Sequence, residues 1–162
     1  MIRDMIKISN EPFTQREVDT VVRWLNDRTL MKYSEQRHTV HTQASQLRYI
    51  NSFKEPDQYK KINFETKLIG TVSAYVDTIN DIANVGILIG GPHGGNGYGE
   101  EAWRIFCNDL GVRKIEAGCM AQNKPMIRVF EKNHMRLEGT RRAHFDLGKG
   151  VHDHLVLYGM FP

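Results

Sequence analysis

Ten residues, Gly90-Gly-Pro-His-Gly-Gly-Asn-Gly-Tyr-Gly99, stand between a nearly continuous apolar run and an amphipathic one. Successive amides in a glycine-rich turn can point into one concavity, and glycine tolerates positive φ and the close approach of a ligand. The helix predicted to follow adds free N–H groups and the positive end of its dipole. Such a turn binds an anion, and a diphosphate suits it best. A Walker-type phosphate loop is excluded, because no Lys-Ser/Thr pair follows the glycines. A dinucleotide-binding turn joins the first strand of a βαβ unit, whereas three strands precede this one.

Other reactive side chains are scattered. Glu35, His38 and Glu116 are candidates for accepting a proton at neutral pH. Cys107 and Cys119 form neither a CxxC pair nor a secreted-type framework, and reduced thiols are the simplest account. Cys119 reads as a small strand residue rather than an acyl carrier. His38/His41 and His152/His154 lack a matching Cys/His pair, so no metal is expected.

The elements that position these residues follow from periodicity. Residues 2–8 suit an edge strand. Thr14-Gln-Arg-Glu17 is a capping box, and Val18, Val21, Val22 and Leu25 predict an amphipathic helix over 15–26. Thr42 is set to cap a second helix, with Leu47, Ile50 and Phe53 as its inner face. Strands are predicted at 61–66, 68–77 and 83–89, the last covered on both faces. After the glycines comes a helix over 100–110 with Ala102, Trp103, Phe106 and Leu110 on one side, closed by Gly111. A strand over 114–120 precedes a short helix capped by Asn123, with Pro125 in its first turn and Met126, Val129 and Phe130 inward. Strands over 136–145 and 151–161 close the chain. The order β-α-α-β-β-β-α-β-α-β-β predicts an α+β fold with one mixed sheet flanked by four helices.

The 162 residues fit a single domain spanning 1–162. A domain of this size buries roughly 70% of its unfolded surface, enough for a sizeable core. No apolar run approaches the length of a membrane span, and the first residues lack the apolar stretch of a signal peptide, so a cytoplasmic protein is expected. Net charge is +3 without a basic stripe, and nucleic acid is not an expected partner.

Three segments together resemble one family. Gly94-Gly-Asn-Gly-Tyr-Gly99, followed by Glu100-Glu101-Ala102, looks like the acyl-CoA signature Q/R-x-x-G-x-G/A of GNAT acetyltransferases. Gly97 and Gly99 match its glycines, and Gly94 stands where Gln or Arg is usual. Asn123 to Met135, then Leu137-Glu138-Gly139, resembles the family's N-x-x-S/M…Y/F-E-K-x-G-F-x-x-E-G segment, with His134-Met135 in place of Gly-Phe. The run Arg141 to Gly159 is similar to the closing hairpin of the branch that contains ribosomal-protein alanine acetyltransferases.

The resemblance implies that strands 83–89 and 114–120 splay apart at their C-terminal ends and that acetyl-CoA lies between them. Its implied contacts are Leu88, Ile89, Gly94, Gly95, Asn96, Gly97, Tyr98, Gly99, Glu100, Asn123 and Phe130. An amine would attack the thioester directly in a ternary complex, with a strand N–H stabilising the oxyanion. An alkyl ammonium has a pKa of about 10.4, so one proton must first be removed, and Glu35, His38 and Glu116 are the candidates. Phe130 occupies the position of a frequent tyrosine donor, and Asn123 is a candidate polar contact. Acceptor choice is expected in the loop Tyr33–His38 and His41-Thr42. That loop is similar to those of family members that modify nucleotide-linked amino sugars. A protein N-terminus is the runner-up acceptor, a polyamine suits the loop less well because the loop is not notably acidic, and a non-catalytic acyl-CoA-binding module is the alternative from a different class. Pairing of two copies through the C-terminal strands is plausible for this family.

Overall fold

The computed structural model describes all residues from Met1 to Pro162. A seven-stranded sheet runs in the order β1-β2-β3-β4-β5-β7-β6, formed by β1 (Ile6–Ser9), β2 (Gln58–Phe64), β3 (Lys67–Asp77), β4 (Ile82–Ile89), β5 (Lys114–Met120), β6 (Arg136–Asp146) and β7 (His152–Met160). Every neighbouring pair is antiparallel except β4 and β5, which are parallel. The helices are a single turn α1 (Ile2–Met5), α2 (Gln15–Leu25), α3 (Gln43–Ser52), α4 (Tyr98–Leu110) and α5 (Lys124–Lys132).

Local chemistry sets the helix ends. Thr14 Oγ1 accepts from Glu17 N–H at 3.2 Å, and Glu17 Oε1 accepts from Thr14 N–H at 3.0 Å, which closes the capping box of α2. Thr42 and Ser45 make the same reciprocal pair at α3. Asn123 Oδ1 accepts from Met126 N–H at 3.2 Å at the start of α5. Gly111 ends α4 in the left-handed region, at φ 65°.

Helices cover both faces of the sheet. Under α4 and α5 lies the main core of 17 buried residues, with Trp103, Phe106, Ile115 and Phe130 almost fully enclosed. On the other face α2 contributes Val18, Val21 and Trp24, and Met31 follows it. Burying each of these large apolar side chains contributes roughly 1.5–3 kcal/mol.

Four expectations are corrected. Residues 2–5 form the helical turn α1, and only Ile6–Ser9 pair as the edge strand. The inward residue of α3 is Gln46, whose Nε2 donates to Tyr59 Oη at 3.0 Å, while Leu47 is 42% exposed. The α3 face packs on a tyrosine-rich patch that offers a hydroxyl acceptor, so a glutamine fits there. β2 starts at Gln58, earlier than its alternation suggests, because it pairs along β3 as far as Ala74. β4 is not covered on both faces: Asn84 and Gly86 are exposed, since nothing packs over that side of its middle.

Candidate active site

The sheet opens between β4 and β5. Their pairing consists of Ile82 with Lys114, Ala83 with Ile115 and Asn84 with Glu116, and stops there. β4 continues to Ile89 against β3, and β5 continues to Met120 against β7. The two strands therefore diverge with one edge of each unpaired. Gly90 N–H donates to Ile69 O at 2.8 Å in unbroken register with the rest of β3, so the even-numbered residues of β4 turn their peptide groups to β3. Val85 turns its N–H to Glu116 on β5, and Ile87 and Ile89 turn their peptide groups to the gap. This corrects one predicted contact: the main chain of Leu88 faces β3, and Ile89 and Ile87 are the residues that line the opening.

At the open end the chain enters the glycine turn. Trp24 lies so close to Gly90 that a Cβ there would fall 2.3 Å from the indole, so glycine is required for α2 to pack against the turn. Gly95 and Gly97 have φ of 77° and 79°, the left-handed region that disfavours other residues, and a Cβ on either would meet nothing within 4 Å. The Asn96 side chain folds back, its Nδ2 donating to His93 O at 3.2 Å and Gly94 O at 3.3 Å. Tyr98 packs its ring on Phe64, and Glu100 pairs with Arg128 at 3.3 Å. Both side chains are thereby turned from the turn, and their main-chain amides open α4. Glu101 N–H is the first of that helix to bond within it, to Gly97 O at 3.3 Å. The amides before it form a side-chain-poor cradle that fits an anionic diphosphate. His93 is held below the usual imidazole pKa by burial and by the charge of Lys67, which keeps it neutral beside the cradle.

The other predicted residues fall into separate places. Asn123 caps α5 just past the end of β5, at the open end of the gap. Phe130 is corrected as a cofactor contact: it is 1% exposed, with its ring against Trp103 at 5.5 Å and Tyr158 at 4.9 Å, so it belongs to the core. Glu35 and His38 are exposed on the loop after α2. Arg37, between them, donates to Asp146 O at 2.8 Å and so pins that loop to the tip of the β6–β7 hairpin. Glu116 pairs with Gly159 at the other end of β7, seven residues from the tip pair Asp146–His152. At roughly 3.3 Å per residue, Glu116 lies about 20 Å from the tip that Arg37 touches. The structure therefore gathers Glu35 and His38 at the open end and leaves Glu116 at the closed end. There Lys114 bridges Glu116 at 3.2 Å and Glu138 at 2.8 Å, and these two carboxylates, Glu138 first, raise the lysine's pKa.

Two neighbours of the gap are Cys119, read from the sequence as a small strand residue, and Asp153, which the sequence reading did not single out. Cys119 is buried, and burial together with the charge of Asp153 pushes its thiol up to about 12, so it is no nucleophile. Asp153 itself is 4% exposed, with Oδ2 accepting from Gln122 N–H at 3.0 Å and Oδ1 from His154 N–H at 2.8 Å. An acid at an inward position of an alternating strand was the available signal.

A sequence profile described as an acetyltransferase (GNAT) domain matches residues 11–136. The probable N-acetyltransferase YjcK of Bacillus subtilis (strain 168) is 32% identical over 104 residues, a match that spans 60% of this chain and only 58% of that relative. Among solved structures, RimL, a ribosomal L7/L12 α-N-protein acetyltransferase bound to coenzyme A, gives a TM-score of 0.85 at 15% identity, covering 99% of this chain and 96% of its own. The microcin C7 self-immunity acetyltransferase MccE, bound to acetyl-CoA and AMP, gives 0.81 at 19% identity, covering 98% and 93%. The two structures share the fold, and the profile spans well over half of the sequence: the chain belongs to the GNAT acetyltransferase family.

Proposed function

We propose that this single domain of residues 1–162 is an acetyl-CoA-dependent N-acetyltransferase acting on a primary amine, with a nucleotide-linked amino sugar as the acceptor. The observation that carries the reading is the interrupted pairing of β4 and β5, which leaves the Val85 carbonyl and the main-chain groups of Ile87 and Ile89 free beside an anion cradle. A pantetheine arm has the amides to pair with them as an added strand. When bound, acetyl-CoA supplies the activated acyl carbon. The chain's own part is to hold the diphosphate on the amides from Gly95 to Gly99, to keep the arm extended, and to donate a β4 N–H where oxygen gains charge. Holding the amine in the same cleft contributes the rest through proximity. The proton acceptor is one of the three candidates, Glu35 or His38 if the amine is held at the open end and Glu116 if it is held at the closed end, and Asn123 is a polar contact whose Oδ1 already caps α5.

MccE, bound to acetyl-CoA and AMP, supports a small acceptor that carries a nucleotide. A protein N-terminus is the second reading, favoured by the fold overlap with RimL. Free, buried Cys107 and Cys119 suit a reducing cytoplasm, and the exposed face of β6 suits pairing of two copies.

Mass spectrometry of products from acetyl-CoA and an amine panel, including nucleotide amino sugars and peptide N-termini, tests this reading. An acetylated nucleotide amino sugar is the expected product. Coenzyme A binding without transfer to any amine would leave a non-catalytic binder instead.

A further inference from the structure

We propose that Asp153 is the residue that receives the acceptor's ammonium group. The inference rests on the acetyltransferase reading above and adds to it a residue for the amine.

Asp153 lies on the acceptor side of the sheet. Tyr75 pairs with Asn84 and packs against Phe53 at the end of α3, so the even-numbered residues of β4 share the α3 face. Their parallel partners on β5 place Glu116, Gly118 and Met120 on that face. A Cβ on Gly118 would stand 3.1 Å from both Leu155 and Leu157, which puts these leucines, and by alternation Asp153, on the same side. The bond from Gln122 N–H draws the carboxylate over the end of β5, toward the open gap. On the hairpin side it neighbours Phe145, its partner in the β6–β7 ladder, near the tip that Arg37 ties to the acceptor loop.

The carboxylate is also electrically incomplete. It is buried to 4% exposure, it accepts two main-chain hydrogen bonds, and it takes part in none of the chain's ion pairs. Buried charges are ordinarily paired. Two amides and the start of α5 offer partial charge, and Lys124 in the first turn of that helix, whose charge like that of Asp153 is felt at Cys119, makes no ion pair with the carboxylate. An ammonium arriving at the open end would supply the missing cation and gain charge-assisted hydrogen bonds from the free lone pairs. Glu116, the other carboxylate on this face, already holds Lys114.

The test uses the full chain saturated with coenzyme A and two probes, UDP-glucosamine and UDP-N-acetylglucosamine, which differ in the charge of one nitrogen. By calorimetry the wild-type chain is expected to bind the amine about tenfold tighter than the amide, and Asp153→Asn to abolish that preference. Coenzyme A affinity, which tests the parent reading, is expected to stay within about twofold in the same samples. Equal wild-type affinities would overturn the proposal. So would a variant that weakens amine, amide and coenzyme A alike, since that is the signature of a structural latch between β5 and β7. If Asp153→Asn does not fold, a wild-type complex with UDP-glucosamine decides: the amine nitrogen should lie about 3 Å from an Asp153 oxygen, and an amine seated elsewhere refutes the assignment.

Discussion

On the α4/α5 face Trp103, Phe106 and Phe130 are almost sealed from water, whereas on the α2/α3 face Asn84, Gly86 and Gly118 lie exposed beside the opened strands. The first face is a packed wall that supports a cradle of main-chain amides. The second is assembled from side chains on separate segments, Glu35 and His38 on a loop, Asp153 on β7 and Glu116 on β5. Under the proposed function, the difference separates two kinds of recognition. A cofactor shared by a whole family is held by backbone geometry, which glycine placement encodes. An acceptor peculiar to one enzyme is held by side chains, whose neighbours are fixed only once the sheet is built.

If that division holds, damage to the wall should cost stability first. Trp103→Ala removes a fully buried indole from between α4 and α5, and a loss of about 3–5 kcal/mol is expected in denaturant unfolding. A loss below about 1 kcal/mol would mean that the wall is not packed as described. Gly97→Val strikes the cradle, where φ is 79° and the space beyond the Cα is open. Coenzyme A affinity should fall by well over tenfold, because a branched side chain both resists that conformation and fills the anion's place. Unchanged affinity with intact folding would move the cofactor elsewhere. Asn123→Ala removes the α5 cap and should cost about 1 kcal/mol of stability, while turnover falls by more than that loss explains. A stability loss alone would leave only the cap. The smallest effect is a gain. Gly94 is extended at φ −66° and ψ 155°, with only Gly91 O near a Cβ, at 3.7 Å, so Gly94→Arg is tolerated there. The added guanidinium should tighten coenzyme A by a few fold, and weaker binding would contradict the position given to the diphosphate.

The same division governs what the sequence made legible. Caps at Thr14, Thr42, Asn123 and Gly111 depend on residues within a turn of each other, and all four form as read. The splay between β4 and β5 followed from the family likeness and is present in the ladder. Features that depend on partners distant in sequence were not legible. The direction of the Leu88 peptide is set by register with β3, and the environment of Phe130 is set by Trp103 and Tyr158. Gln46 reads as a surface residue until Tyr59 is known to lie under it. Glu35, His38 and Glu116 formed one set of equals in the sequence, and only the strand pairings show that a length of β7 separates them. Asp153 lies within the run Arg141 to Gly159, yet its lack of an ion-pair partner is visible only in the folded chain.

Under the proposed function, coenzyme A completes the sheet along the free edge of β4. Amide hydrogen exchange followed by NMR, with and without coenzyme A, tests it residue by residue. New protection is expected at N–H groups of Ile87 and Ile89 and in the Gly95–Gly99 turn, with the amides of Leu88 and Gly90, already bonded to β3, and of Val85, already turned to Glu116 on β5, little changed. Protection that appears elsewhere while the amides of Ile87 and Ile89 exchange as before would contradict it.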